Sequence, residues 1–174
     1  MSISSSVSLL TIVALSFLPP SVLAYDVLVS VTGKLIGNTC TVSTPSKMLT
    51  VPLGNIGTQQ FGVNRGVSNI KTPFFINLEE CGPTFTGVKV RFVGTPDGDA
   101  PHLLKVDEGG ATGVAVELLN KGEKPLAFNR QTEVLGTPGA DSVQMKFHAR
   151  LAATGSPVSP GSVSAIATWV LEYQ

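Results

Sequence analysis

Charge of either sign is scarce in this sequence, and what there is cancels. Lys and Arg total 12 and Asp and Glu total 12, so only 14% of the 174 residues are charged and the formal net charge is zero. A nucleic-acid binder would carry a basic patch or stripe, and that class is set aside. Residues that do chemistry are few as well. The 2 histidines and 2 cysteines stand in no ligand-like spacing, and such a set makes no recognisable tetrahedral metal site. Neither His102, in the turn-rich stretch DGDAPHLL, nor His148 has a neighbouring nucleophile or carboxylate pattern of the kind that acid–base or covalent catalysis requires. An enzyme is not expected, and no cofactor is implied. The apolar run from Val7 to Leu18 is about a dozen residues against the roughly 20 that span a bilayer, and Pro19-Pro20 interrupts it.

That run carries no acidic residue and ends in Val22-Leu23-Ala24. Small residues there fit the positions before a cleavage site, so residues 1–24 read as a secretory signal. No Lys or Arg precedes the apolar core, which leaves the amino terminus as its only positive charge. A membrane anchor is the weaker alternative. Without the signal about 150 residues remain, which suits one domain of about 100 to 200 residues. Both Cys40 and Cys81 fall in the exported part, where an oxidising compartment allows a disulfide. Closing a loop of this length removes unfolded-state entropy worth roughly 4 kcal/mol. Two buried free thiols or an intermolecular bridge are the alternatives.

Short alternating or apolar runs rich in β-prone residues recur along the chain. They are DVLVSVTGKL (26–35), MLTVPLG (48–54), PFFINLE (73–79), GVKVRFVG (87–94), GVAVELLN (113–120), SVQMKFHARLA (142–152) and a final strand ending at Tyr173. Turn signals such as Pro96-Asp97-Gly98-Asp99, Glu108-Gly109-Gly110, Thr137-Pro138-Gly139 and Ser159-Pro160-Gly161 separate them. No long stretch holds a helical period. The pattern predicts an all-β sandwich or barrel, of a size that fits the immunoglobulin kind. Two strands are clearly sided: Val88, Val90 and Phe92 oppose Lys89 and Arg91, while Met145, Phe147, Ala149 and Leu151 oppose Gln144, Lys146, His148 and Arg150. The charged sides, His148 included, are expected to face solvent, and His102 is expected at the surface.

The two terminal strands pose a different question. In GSVSAIATWVLEYQ the odd positions Val163, Ala165, Ala167, Trp169, Leu171 and Tyr173 are all apolar, and only Gln174 follows. A strand here needs neighbours on both sides unless it lies at an edge, and an edge exposes unpaired N–H and C=O groups that can recruit another chain. At the other end Val27, Val29, Val31, Gly33 and Leu35 share one face, with Asp26, Ser30, Thr32 and Lys34 on the other. This first strand either pairs within its own sandwich or fills a place beside the last strand, in its own molecule or the next. Val27 to Leu35 spans about 26 Å and Val163 to Tyr173 about 33 Å at 3.3 Å per residue, so length permits both. Ala165 and Ala167 leave depressions between larger neighbours, and Gly33 lets a donated backbone approach closely.

The chain resembles the chaperone–usher pilin family, and within it the minor adaptor subunits of the type 1 pilus tip fibrillum. The resemblance is carried by DVLVSVTGKL before Cys40, CTVST after it, Cys81-Gly82, VKVRFVG, LLN at 118–120 and FHARLAATGSPVSPGSVSAIATWVLEYQ. The ending has the family's Gly at the fourteenth position from the end (Gly161), its alternating apolar residues and its penultimate aromatic (Tyr173). The resemblance implies an incomplete immunoglobulin-like sandwich lacking its last strand and completed by a donated strand, an instance of β-strand addition. By position it implies a signal peptide at 1–24, a donor extension at 25–37 and a pilin domain at 38–174. Val27, Val29, Val31, Gly33 and Leu35 would be the donated face. Gly161, Val163, Ala165, Ala167, Trp169, Leu171 and Tyr173 would line the acceptor groove and chaperone-binding strand, with the Gln174 carboxylate meeting basic residues of the chaperone. The implied partners are a periplasmic pilus chaperone, an outer-membrane usher and neighbouring pilus subunits, and the implied location is the fimbria on the bacterial surface. A major rod pilin and a single-domain secreted adhesin are the alternatives; only about 15 residues separate the expected cleavage site from Cys40, so there is no room for an additional binding domain.

Overall fold

The computed structural model describes residues 30–33, 40–63 and 65–174. The chain divides into two units, Met1–Lys34 and Leu35–Gln174. In the first, residues 30–33 are exposed and belong to no strand. The second contains β1 (Thr41–Val42), a four-residue helix α1 (Thr44–Lys47), a 3-10 turn (Thr58–Phe61), β2 (Thr72–Glu79), β3 (Val88–Val93), β4 (Leu104–Lys105), β5 (Val114–Leu119), β6 (Pro125–Leu126), β7 (Val143–Ala153) and β8 (Thr168–Tyr173).

All the strand pairs are antiparallel and form two sheets. The larger runs β1-β2-β7-β5-β4, with β6 also on β5; the smaller is β3-β8. A period of two gives each strand an apolar side, and the two sides close on each other. Ile76 and Leu78 of β2, Val114, Val116 and Leu118 of β5, and Met145, Phe147 and Leu151 of β7 meet Val88, Val90 and Phe92 of β3 in one core. Phe92 stands edge-on to Phe147 with ring centroids 5.0 Å apart, an arrangement that adds attraction between the electron-poor edge and the ring face. The cysteines do pair: Cys40 and Cys81 form a disulfide that ties the start of β1 to the residue just past β2's end region, across 41 positions of sequence.

Three expectations need correction. The run 48–54 is no strand, and the final strand is shorter than its alternation, since 163–167 lies outside β8. There the backbone is held by a loop instead: the Ala111 amide donates to the Ser162 carbonyl at 2.9 Å and the Asp107 amide to Ser164 at 2.7 Å. The third concerns the solvated face assigned to β7. Gln144 is exposed, but His148 retains only 7% of its surface and Lys146 and Arg150 are half-buried. The reason is that β7 is a central strand, flanked by β2 and β5. The Arg150 guanidinium donates to the Glu117 carboxylate of β5 at 2.5 Å. Lys71, just before β2, pairs with Glu123, just after β5, which joins the two strands that flank His148. The Lys71 ammonium, by its hydrogen bond and its charge, holds the Glu123 carboxyl below the usual carboxylate range. His102 is exposed, as expected.

Candidate functional site: an apolar cleft beside β8

β8 has one strand partner among the described residues. Val88–Val93 pairs with it from Val88↔Tyr173 to Val93↔Thr168, and the far side of β3 is taken by 129–135, where the Leu135 amide donates to Val88 at 2.8 Å and the Asn129 amide to Phe92 at 2.7 Å. A cleft of about 860 Å³ lies along 159–167, just before β8, and reaches β8 at Trp169. It is lined by 159–167 with Trp169, by 49–56, and by Phe74, Phe92, Val116, Leu118 and Leu151 of the core. Val51, Leu53 and Ile56 from one wall and Val163, Ala165 and Trp169 from the other are partly buried against that core. Apolar clefts floored by core side chains next to a strand edge are the surfaces that β-strand addition uses.

Gly161 shows how closely the backbone is packed at one end. A Cβ there would meet the Ala111 nitrogen at 2.4 Å, and one on Gly110 would meet the Ser162 carbonyl oxygen at 2.1 Å. Only glycine allows the two backbones to lie so close. At the other end of β8 the Tyr173 hydroxyl donates to the Cys40 carbonyl at 3.2 Å, and the ring meets Phe85 edge-on at 6.4 Å. Burial pushes the Tyr173 phenol's pKa up.

Of the acceptor residues expected from sequence, Gly161, Val163, Ala165, Ala167 and Trp169 line the cleft. Leu171 and Tyr173 are half-buried against the core just past its end. Gln174 is exposed; its amide donates to the Gly87 carbonyl at 3.0 Å. Of the expected donor residues, Val27, Val29 and Leu35 lie outside the described residues, while Val31 and Gly33 are exposed. Sequence reasoning missed the wall at 49–56, which it took for an ordinary paired strand. Its odd residues Leu49, Val51 and Leu53 carried the signal of one apolar side, but nothing local says that such a strand lacks a neighbour. The contact between Tyr173 and Cys40 was missed too, and it has no sequence signal at all.

The sequence model of the fimbrial protein family matches residues 29–174. The chain belongs to that family. It is 35% identical over 159 residues to the S-fimbrial protein subunit SfaG of Escherichia coli O6:K15:H31, covering 91% of this chain and 89% of that one. It is also 35% identical to the fimbrial subunit type 1 of Salmonella typhimurium, covering 82% of this chain and 80% of the other. Its fold matches a subunit in a structure of a chaperone–usher pilus that addresses the molecular basis of rod uncoiling, with a TM-score of 0.66 at 22% identity over 90% of this chain and all of that one. The fold is therefore the immunoglobulin-like pilin sandwich. Proteins of this family are structural subunits, not enzymes, and are exported and assembled into fimbriae on the cell surface. As a member of the family, the chain is a fimbrial subunit.

Proposed function

We propose that this subunit is a connector in a type 1-like pilus, a tip adaptor between the adhesin and the rod, joined to its neighbours by donor-strand exchange. The observation that carries the reading is the apolar cleft lined by 159–167 and Trp169, leading into a strand, β8, that has one strand partner among the described residues. The signal at 1–24 directs export and is removed. The extension 25–37 then supplies Val27, Val29, Val31, Gly33 and Leu35 to the cleft of the next subunit, and the domain 38–174 receives the corresponding strand of the previous one along Gly161, Val163, Ala165, Ala167, Trp169, Leu171 and Tyr173. A periplasmic chaperone covers the edge of β8 first and meets the Gln174 carboxylate, and an outer-membrane usher presides over the exchange. One donor and one acceptor on each copy make a head-to-tail contact, which builds open fibres.

Cysteine pairs in assembled fibres test the contact. With Ala165→Cys in this subunit and single cysteines along the donor extension of its neighbour, a cross-link at one alternating set of donor positions is expected; cross-links equally frequent at odd and even positions would oppose the reading. Counting copies separates adaptor from rod pilin. One or a few copies per fibre fit the adaptor, and hundreds fit the rod.

A further inference from the structure

β8 is open along one edge and fastened at its end. The Tyr173 hydroxyl reaches the Cys40 carbonyl, 133 positions away in sequence, at 3.2 Å. The terminal residue is held as well, because the Thr86 hydroxyl donates to the Gln174 carboxylate at 2.5 Å and the Gln174 amide donates to the Gly87 carbonyl at 3.0 Å. Cys40 is the first described residue of the pilin domain and is fixed to Cys81 by the disulfide. It is also the root from which the chain runs back to the donor extension. One phenol therefore connects β8, which reaches the acceptor cleft at Trp169, to the residue three positions after the proposed donor extension.

We infer that Tyr173 is a positioning residue for strand exchange, whose hydroxyl couples filling of the acceptor cleft to the ordering of the donor's root at Cys40. The inference rests on the donor-strand reading above. With the cleft open, β8 has a single strand neighbour among the described residues, β3, and a strand paired on one side opens more readily than one paired on both. Each opening takes Tyr173 from Cys40. A donated strand on the free edge holds β8 closed, keeps the hydroxyl on the carbonyl, and so restrains Cys40 and β1 after it. The coupling works in both directions, since two sites linked through one element bias it reciprocally. A subunit that has accepted a strand then presents a better-held donor root than one that has not, which favours growth in order along the fibre.

A cycle of four chains tests this. Each carries a second copy of residues 25–37 appended after Gln174 through a flexible linker, so that the cleft is filled at high effective concentration. The four are the unaltered sequence, Tyr173→Phe, Val31→Asp in the appended copy only, and both changes together. Amide hydrogen exchange is read at Cys40–Val42, with the central amides of β2 as the control. Weakening the appended strand is expected to speed exchange at Cys40–Val42 by about fivefold or more while the hydroxyl is present, and to add nothing once Tyr173→Phe has removed it. Effects of the two changes that simply multiply, or exchange that rises equally at the β2 control, would overturn the inference. Failure of the donor-strand reading looks different: the appended copy then leaves the melting temperature of the unextended chain unchanged, and the inference is withdrawn with it.

Discussion

Glu117 and Arg150 face each other across β5 and β7 as directly paired residues, with side chains 9% and 17% exposed. Removing one partner of a buried ion pair leaves an uncompensated charge, whereas replacing both by apolar groups can be nearly neutral. Arg150→Met alone is expected to cost about 2 to 3 kcal/mol, the lower side of the buried range because its guanidinium keeps some water. Glu117→Leu with Arg150→Met should return to within about 1 kcal/mol of the starting stability, and urea unfolding of the strand-complemented subunit measures both. Tyr173 adds a pH dependence. Its raised pKa means that the folded state keeps the phenolic proton at pH values where the unfolded chain, with a pKa near 10, releases it. The associated stability is complete below about pH 10 and is lost as pH rises through the folded pKa. Tyr173→Phe should remove this alkaline decline while costing about 0.5 to 1.5 kcal/mol at neutral pH for the lost hydrogen bond. At this scale sequence is least informative: the period placed His148 and Arg150 on the side of β7 away from the core, but only the position of β7 between two other strands shows that this side is covered.

The elements were the most legible level. Alternation located β2, β3, β5 and β7 within a residue or two, because each of these has an apolar side against a common core. It failed at 48–54 and 163–167, which have the same period but form no strand and contribute to the lining of the cleft. Period reports which side is buried and carries no information about hydrogen-bonded neighbours, so it cannot separate a paired strand from a cleft wall. Changes in the wall should divide accordingly. Gly161→Ala drives a methyl group into the backbone at 110–111 and is expected to destabilise the domain by about 1 to 3 kcal/mol. Ala165→Glu puts a charge on the half-buried lining of the cleft. It should leave the circular dichroism of the chaperone-bound subunit unchanged yet exclude the subunit from fibres; normal incorporation of this variant would oppose the proposed use of the wall.

For the molecule as a whole, the proposed donor-strand exchange predicts that a large share of the stabilisation comes from outside the domain. Fully burying one Val- or Leu-sized side chain is worth about 1.5 to 3 kcal/mol, so four such donor residues offer roughly 6 to 12 kcal/mol before ordering and association costs. A whole domain is stable by about 5 to 15 kcal/mol. A subunit without a strand partner is therefore expected to be marginal and prone to associate through β8. The cleft itself was legible only through the likeness of the ending to pilins, since the wall at 49–56 and the one at 161–169 are separated by more than half of the chain and meet only in the fold. Co-purification from the periplasm with the cognate chaperone tests the central claim most directly, with the intact subunit compared against a chain truncated after Trp169 and against Tyr173→Ser. The account predicts that the intact chain emerges as a one-to-one complex while both variants are degraded or aggregated. Soluble, partner-free monomers from all three would contradict it, because the sandwich would then complete itself.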